Sequence, residues 1–223
     1  MKRRFSDIEV QSSPHHETSK NNLLLYFYTL RPPGLTMIQL SPSLLIGKGT
    51  ERLCYQHPDD PQKCIKVTHN KAHSKHQNEK DAVYYRVLKA RHIPFTHIPQ
   101  CYGWIETSLG SGLCFDLIKS DSDQTLPSLN QGLEDHTFSL NEIRPALNQL
   151  YQYLYQYRIF TSDLRETNII CQPKGTSWHC FLIDGLGDRD FIKLAAHSKW
   201  LGHLKVNRQW RKFEKRLEKW RPS

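Results

Sequence analysis

Asp163 and Asn168 stand five positions apart in the run Phe160-Thr161-Ser162-Asp163-Leu164-Arg165-Glu166-Thr167-Asn168-Ile169-Ile170-Cys171. A second acid, Asp184, follows the short apolar run Leu182-Ile183 and precedes Gly185-Leu186-Gly187. Carboxylate, carboxamide and carboxylate, in that order, are the groups phosphoryl transfer requires. One carboxylate sits beside the attacking hydroxyl, while an amide oxygen and a second carboxylate hold the Mg²⁺ that neutralises the phosphates. On that reading Asp163 is the base or orienter, and Asn168 and Asp184 are the metal ligands. The same residues also suit a plain polar turn between two strands, followed by a β-turn at Asp184-Gly185. D-x-x-x-x-N is common by itself, so its weight comes from what lies upstream.

Upstream, Leu44 to Tyr55 reads as two antiparallel strands joined across Gly47-Lys48-Gly49-Thr50. Glycines at 47 and 49 let backbone amides approach phosphate oxygens without Cβ interference. A hairpin turn explains them equally well, because Arg52 stands where a third glycine would complete G-x-G-x-x-G. Lys66 lies in Cys64-Ile65-Lys66-Val67, a lysine among apolar strand residues, where an ammonium can reach the α- and β-phosphates. Glu79, Val83 and Val87 recur at helical spacing, so Glu79 is the acid expected to pair with Lys66; a solvated glutamate is the alternative. The strands around Tyr102 and Leu113 end at Asp116, and Asp116 to Lys119, with Asp116 and Ile118 foremost, form the connection whose backbone would meet adenine.

These pieces need a scaffold. The spacing predicts a five-stranded antiparallel sheet with one inserted helix, then a polar linker over 120–138. Ser139-x-x-Glu142 is a capping box, and Leu140, Ile143, Leu147, Leu150, Leu154 and Tyr157 trace one face of a long helix, with Pro145 in its second turn. Trp178 to Ile183 supplies the strand before Asp184. The domain reading is therefore 1–36 as a flexible tail or mis-assigned start ahead of Met37, 37–118 as an N-lobe, 119–204 as a small, mainly helical C-lobe, and 205–223 as a basic amphipathic helix.

Composition narrows the class. The 223 residues are 38% hydrophobic and 11% aromatic, enough for a core in one domain or two lobes. Net charge is +9, but eight Lys/Arg and two Glu between Lys205 and Arg221 carry +6 of it. Trp210, Phe213, Leu217 and Trp220 make an apolar stripe on that basic segment. It reads as a terminal helix packed on the domain; an anionic membrane surface, nucleic acid or an acidic partner are the alternatives. No dedicated nucleic-acid motif is present. The six cysteines form no C-x-x-C pair, which points to reduced thiols in a cytoplasmic protein rather than a disulfide framework or zinc site. His69, His73 and His76 come with no carboxylate at helical spacing and read as a solvated loop. Leu23 to Leu30 falls far short of the roughly 18 apolar residues of a membrane span, and its polar upstream stretch is not a signal peptide.

Taken in order, Gly47-x-Gly49, Lys66, Glu79, Asp163-x₄-Asn168 and Asp184-Gly185 sit in a chain that resembles the YrbL family, bacterial PhoP regulatory network proteins that look like small members of the protein-kinase-like fold. The resemblance runs from Met37 to about Trp210. It is carried by Leu40-Ser41, Cys54-Tyr55-x-His57-Pro58, Cys64-Ile65-Lys66, Tyr84-Tyr85, Ile98-Pro99, Tyr102-Gly103, Asn168-Ile169-Ile170-Cys171 and Ser198-Lys199-Trp200. It implies an α+β, two-lobed protein-kinase-like fold with ATP and Mg²⁺ at the positions above, and a connection to a bacterial envelope and magnesium-sensing network. It also implies Arg165 in the place of the phosphate-neutralising lysine of kinases, with different geometry. Thr161-Ser162 replaces the His-Arg that usually precedes the catalytic Asp, and Asp-Gly-Leu-Gly replaces Asp-Phe-Gly.

Two functions are expected in competition. One is an ATP/Mg²⁺-dependent phosphotransferase whose acceptor is a protein, a saccharide or a small molecule. The other is a pseudokinase acting as a nucleotide-sensing regulatory or scaffold module.

Overall fold

A computed structural model describes residues 37–69, 76–120, 126–187 and 199–219. The expectations for the 1–36 tail, for His73, for Ser198 and for Trp220 lie outside the described residues.

Short runs of strand-forming residues bounded by turns build the first lobe, and its two central runs, Cys64 to Val67 and Gly112 to Phe115, are buried along their whole length. Its strands are β1 (Leu45–Lys48), β2 (Arg52–Gln56), β3 (Lys63–Thr68), β4 (Cys101–Thr107) and β5 (Gly110–Asp116), with helix α1 (Gln77–Ala90) between β3 and β4. All pairings are antiparallel and the sheet order is β1-β2-β3-β5-β4, so Lys66 lies on the central strand. On β3, Ile65 and Val67 face outward into a small cluster with Leu40 and Tyr55. Cys64 faces inward with Phe115, toward Tyr84, Tyr85 and Leu88 of α1. Lys66 shares the inward side by the same alternation. The segment at Ile38 leans on β4, where Ile38 N donates to Glu106 O at 3.0 Å and its carbonyl accepts from Ser108 N at 2.9 Å.

The second lobe contains α2 (Leu129–Glu134), α3 (Leu140–Gln156), the hairpin β6 (Ile169–Lys174) and β7 (Ser177–Leu182), and α4 (Lys199–Glu218). The capping box at Ser139 and Glu142 forms as expected, and α3 passes through Pro145, which lies on the exposed side. Ile143, Leu147, Leu150 and Leu154 are buried along one face. The α+β class expected from the sequence is the class observed.

Residues 120–138 are not simply a polar linker. A second capping box, Ser128 with Gln131, opens α2, and Leu126, Leu129, Leu133 and Phe138 are buried. Six residues of helix are too short to show periodicity, and the surrounding polar residues mask the leucine spacing. The basic terminal helix also begins earlier than 205. It starts at Lys199 and buries Val206, Trp210, Phe213 and Leu217 in the main core.

Phe213 is fully buried. Phe213→Ala is expected to cost about 3–5 kcal/mol in urea unfolding through lost burial plus the cavity left behind. A loss under about 1 kcal/mol would mean α4 is an appendage rather than part of the core.

Candidate active cleft

Buried charge needs partners, and the space between the lobes is organised by that requirement. Lys66 Nζ donates to Ile183 O at 2.7 Å and lies 3.7 Å from Asp184 Oδ2. Its ammonium also sits 5.0 Å from the centre of the Phe115 ring. Two residues separated by more than a hundred positions thus meet across the cleft.

Asp184 has a second cation that sequence spacing does not assign to it. Arg52 Nη2 donates to Asp184 Oδ1 at 2.5 Å, while Nη1 donates to Asp81 Oδ2 at 2.6 Å and to Asn78 Oδ1 at 3.1 Å. Gly185 N also donates to Asp184 Oδ1, at 2.7 Å. Burial pushes the Asp184 carboxyl up, but Lys66, Arg52 and the Gly185 N–H together outweigh it and hold the group down to about 2. At Asp81 burial prevails instead, and it holds that carboxyl above the usual carboxylate range against the attraction of Arg52.

Glu79 does not pair with Lys66. Its side chain is 57% exposed and lies 3.8 Å from His76 Nδ1. The inward face of α1 is Asn78, Asp81, Tyr84, Tyr85 and Leu88, and Val83 is exposed. The acid of this helix is therefore Asp81, and it meets Arg52. Placing the inward face by the valines misassigned it, because the true inward face carries an amide, an acid and two tyrosines.

The loop from Phe160 to Asn168 is held from three sides. Asn168 Nδ2 donates to Asp163 O at 2.9 Å, and Ile183 N donates to Asn168 O at 2.9 Å. Gly185 O accepts from Ser162 N at 2.7 Å. Gly185 has φ +72°, and a Cβ there would stand 2.4 Å from Asp163 O, so only glycine permits this approach. Phe160 N donates to Tyr84 Oη at 2.8 Å, which ties α1 to the loop. From α4, Gln209 bonds the main chain of Thr161, and Arg216 donates to Leu164 O and lies 3.4 Å from Glu166 Oε1. The Asp163 side chain itself stays 44% exposed and pairs with Nε of Arg165, which is 65% exposed. Such an exposed pair is worth about 0–1 kcal/mol, so a hydroxyl substrate can displace it.

Gly47 pairs with Cys54 across β1 and β2, beside a bulge. Gly49 N donates to Arg52 O at 2.8 Å and Gly49 O is bonded by His69. The amide of Gly49 is thus engaged in the turn in this conformation. At the end of β5, the Asp116 carboxylate accepts from Gln100 N at 2.8 Å and Tyr102 Oη at 2.7 Å, which anchors β4. Leu117 N donates to Gln62 O, while Ile118 makes no hydrogen bond among the described residues. Asp116 therefore shapes the connection through its side chain.

The donors fit Mg²⁺ that arrives with phosphate. Asp184 is ionised, and the Nδ2 bond of Asn168 directs its carboxamide nitrogen to Asp163 O, leaving Oδ1 as the hard acceptor. Mg²⁺ commonly takes one or two protein oxygens plus phosphates. Among the described residues there is no group of three His, Cys, Asp or Glu that would form a self-sufficient metal cage. No helix among them is long and apolar enough to cross a membrane.

Because the folded pKa of Asp184 is depressed, its stabilisation is fully present above the unfolded value near ~4. It is lost as pH falls through about 2. The stability gap between the protein and Asp184→Asn, read by urea unfolding, is expected to shrink from pH ~4 toward pH ~2. A gap that stays constant over that interval would refute the cation bracket.

The family described as PhoP regulatory network protein YrbL matches residues 38–218. The uncharacterized protein YrbL of Escherichia coli (strain K12) is 32% identical over 181 residues, covering 79% of this chain and 86% of that protein. Its namesake in Shigella flexneri gives the same values. Among solved structures, the crystal structure of Rad53 1-466 in complex with AMP-PNP aligns at TM-score 0.47 and 14% identity, over 67% of this chain. The chain spans only 39% of that structure. The match over residues 38–218, with 32% identity across most of both chains, establishes that this chain belongs to the YrbL family of PhoP regulatory network proteins.

Proposed function

We propose that the protein is a small ATP- and Mg²⁺-dependent phosphotransferase acting in PhoP-linked envelope regulation. The observation that carries the reading is the meeting of Lys66 and Asp184 at 3.7 Å beside a loop that presents Asp163 partly exposed. In this reading Lys66 binds the α- and β-phosphates, and Asp184 with Asn168 Oδ1 holds the metal. Magnesium, when bound, neutralises charge on the phosphates being transferred. Asp163 accepts the proton of the acceptor hydroxyl or orients it, and Arg165, already at its side, offers positive charge to the transferring group. Gly47, Gly49 and Ile118 are the main-chain positions that line the nucleotide.

The acceptor is a protein or saccharide hydroxyl. The outward side of α4 is exposed at Leu201, Leu204, Arg208, Arg211, Lys212 and Lys215. That face suits an anionic acceptor or peripheral contact with an anionic membrane.

A second reading, a nucleotide-sensing pseudokinase, is favoured by Arg52 on the metal-side carboxylate and by the engaged amide of Gly49. Melting temperature with ATP, Mg²⁺ and both, together with ATP turnover, separates the two. ATP with Mg²⁺ should raise the melting temperature. Asp163→Asn should keep that shift and lower ATP turnover about 10²–10⁴-fold. Unchanged turnover would refute the role of Asp163. A shift with no turnover in the unaltered protein would leave the pseudokinase.

A further inference from the structure

The guanidinium of Arg52 is the best-connected charge in the cleft, yet neither phosphate binding by Lys66 nor metal binding by Asp184 uses it. Its residue is 8% exposed and sits where a glycine would have completed the phosphate loop. Its two amino groups do different jobs. Nη1 is anchored on α1, at 2.6 Å from Asp81 and 3.1 Å from Asn78. Nη2 alone reaches out to Asp184 Oδ1, at 2.5 Å. One end is fixed to the scaffold and the other covers an oxygen that would ligate a metal.

We infer that Arg52 is a cleft residue that competes with the divalent cation for Asp184 and, once displaced, donates the freed Nη2 to the nucleotide phosphates. The first half rests on the proposed reading of Asp184 as a metal ligand and the second half on the nucleotide reading of the cleft.

Two physical arguments carry it. The first is occupancy. Oδ1 already accepts from Arg52 Nη2 at 2.5 Å and from Gly185 N at 2.7 Å, which uses both of its lone pairs, while Oδ2 faces the Lys66 ammonium at 3.7 Å; a metal–oxygen bond of about 2.0–2.1 Å at Oδ1 therefore requires a donor to leave, and Nη2 is the one on a movable side chain. The second is charge. Arg52 and Lys66 balance Asp81 and Asp184, so the cluster is neutral. A bare divalent cation entering it meets two cations in close range and gains only one partly occupied carboxylate. A metal–nucleotide complex brings the anionic phosphates that Lys66 and the released Nη2 require. The anchor on Asp81 and Asn78 keeps Arg52 in the cleft when Nη2 lets go. The Arg52 carbonyl also closes the glycine turn, at 2.8 Å from Gly49 N, so the residue that covers Asp184 stands directly beside that turn.

The test uses Mn²⁺ alone, with free Mn²⁺ read by electron paramagnetic resonance, on the full chain and on Arg52→Gln. Arg52→Gln removes the competing charge and keeps a hydrogen-bonding side chain toward Asp81. It should bind one Mn²⁺ at about 10–100-fold lower concentration than the unaltered protein, the range of one charge-assisted hydrogen bond. That gain should vanish in Arg52→Gln combined with Asp184→Asn, which locates the ion on Asp184. Arg52→Lys keeps the charge without the fork; it should fall between the two, and it carries the measurement if Arg52→Gln does not fold. Equal Mn²⁺ binding by the unaltered protein and the folded variants overturns the competition.

A fluorescent ATP analogue titrated without metal then reads the second half. Arg52→Gln should bind it about 10-fold more weakly than the unaltered protein, by the same range. Equal binding removes Arg52 from the phosphates while leaving the nucleotide reading intact. Failure of the analogue to bind any form, with or without Mg²⁺, would instead end the nucleotide reading and, with it, the donation by Nη2.

Discussion

Asp184 is held between two cations that come from different strands of the first lobe. Lys66 approaches from β3 and Arg52 from β2, and both are buried while the carboxylate is 37% exposed. Each of the three charges would be costly without the others. The carboxylate is supplied by the second lobe, so the ion cluster joins the lobes at the position where the chemistry would occur. The same partners keep Asp184 ionised against burial, and ionisation is what a metal ligand requires.

The remaining structure fixes the geometry of that meeting point. Gly185 lies against the carbonyl of Asp163 where no side chain fits. Its own carbonyl receives the amide of Ser162. Tyr84 links α1 to Phe160, so the helix that anchors Arg52 through Asn78 and Asp81 also contacts the loop carrying Asp163. On the far side α4 holds the carbonyls of Thr161 and Leu164. The terminal helix therefore serves two surfaces. Its apolar stripe belongs to the core, and its charged outer side remains exposed to whatever partner the protein meets.

On the proposed reading, the engaged turn at Gly49 and the guanidinium on Asp184 belong to a resting cleft that a nucleotide would have to reorganise. In this cluster of two acids and two bases each buried charge has a partner of opposite sign. The active and the purely sensory readings share this site. They differ only in whether Asp163, once nucleotide is bound, assists transfer to a hydroxyl.

Local pattern in the chain carries much of the fold. The short apolar run around Lys66, the capping box at Ser139 and the leucine face after it pointed to the sheet and the long helix, because each depends on neighbours within a few positions. The spacing of Asp163, Asn168 and Asp184-Gly185 named four residues that the fold does gather around one loop. Tertiary structure alone decided which acid of α1 faces inward. Asp81 rather than Glu79 meets the cleft because the helix rotates to bury Tyr84, Tyr85 and Leu88, and the polar residues on that face hide it from a hydrophobic count. It also decided the role of Arg52, which by position alone is a missing glycine. A guanidinium that bridges residues 29 and 132 positions away has no signature in sequence spacing, since its partners are chosen by how two lobes close on a charge that must not be left alone.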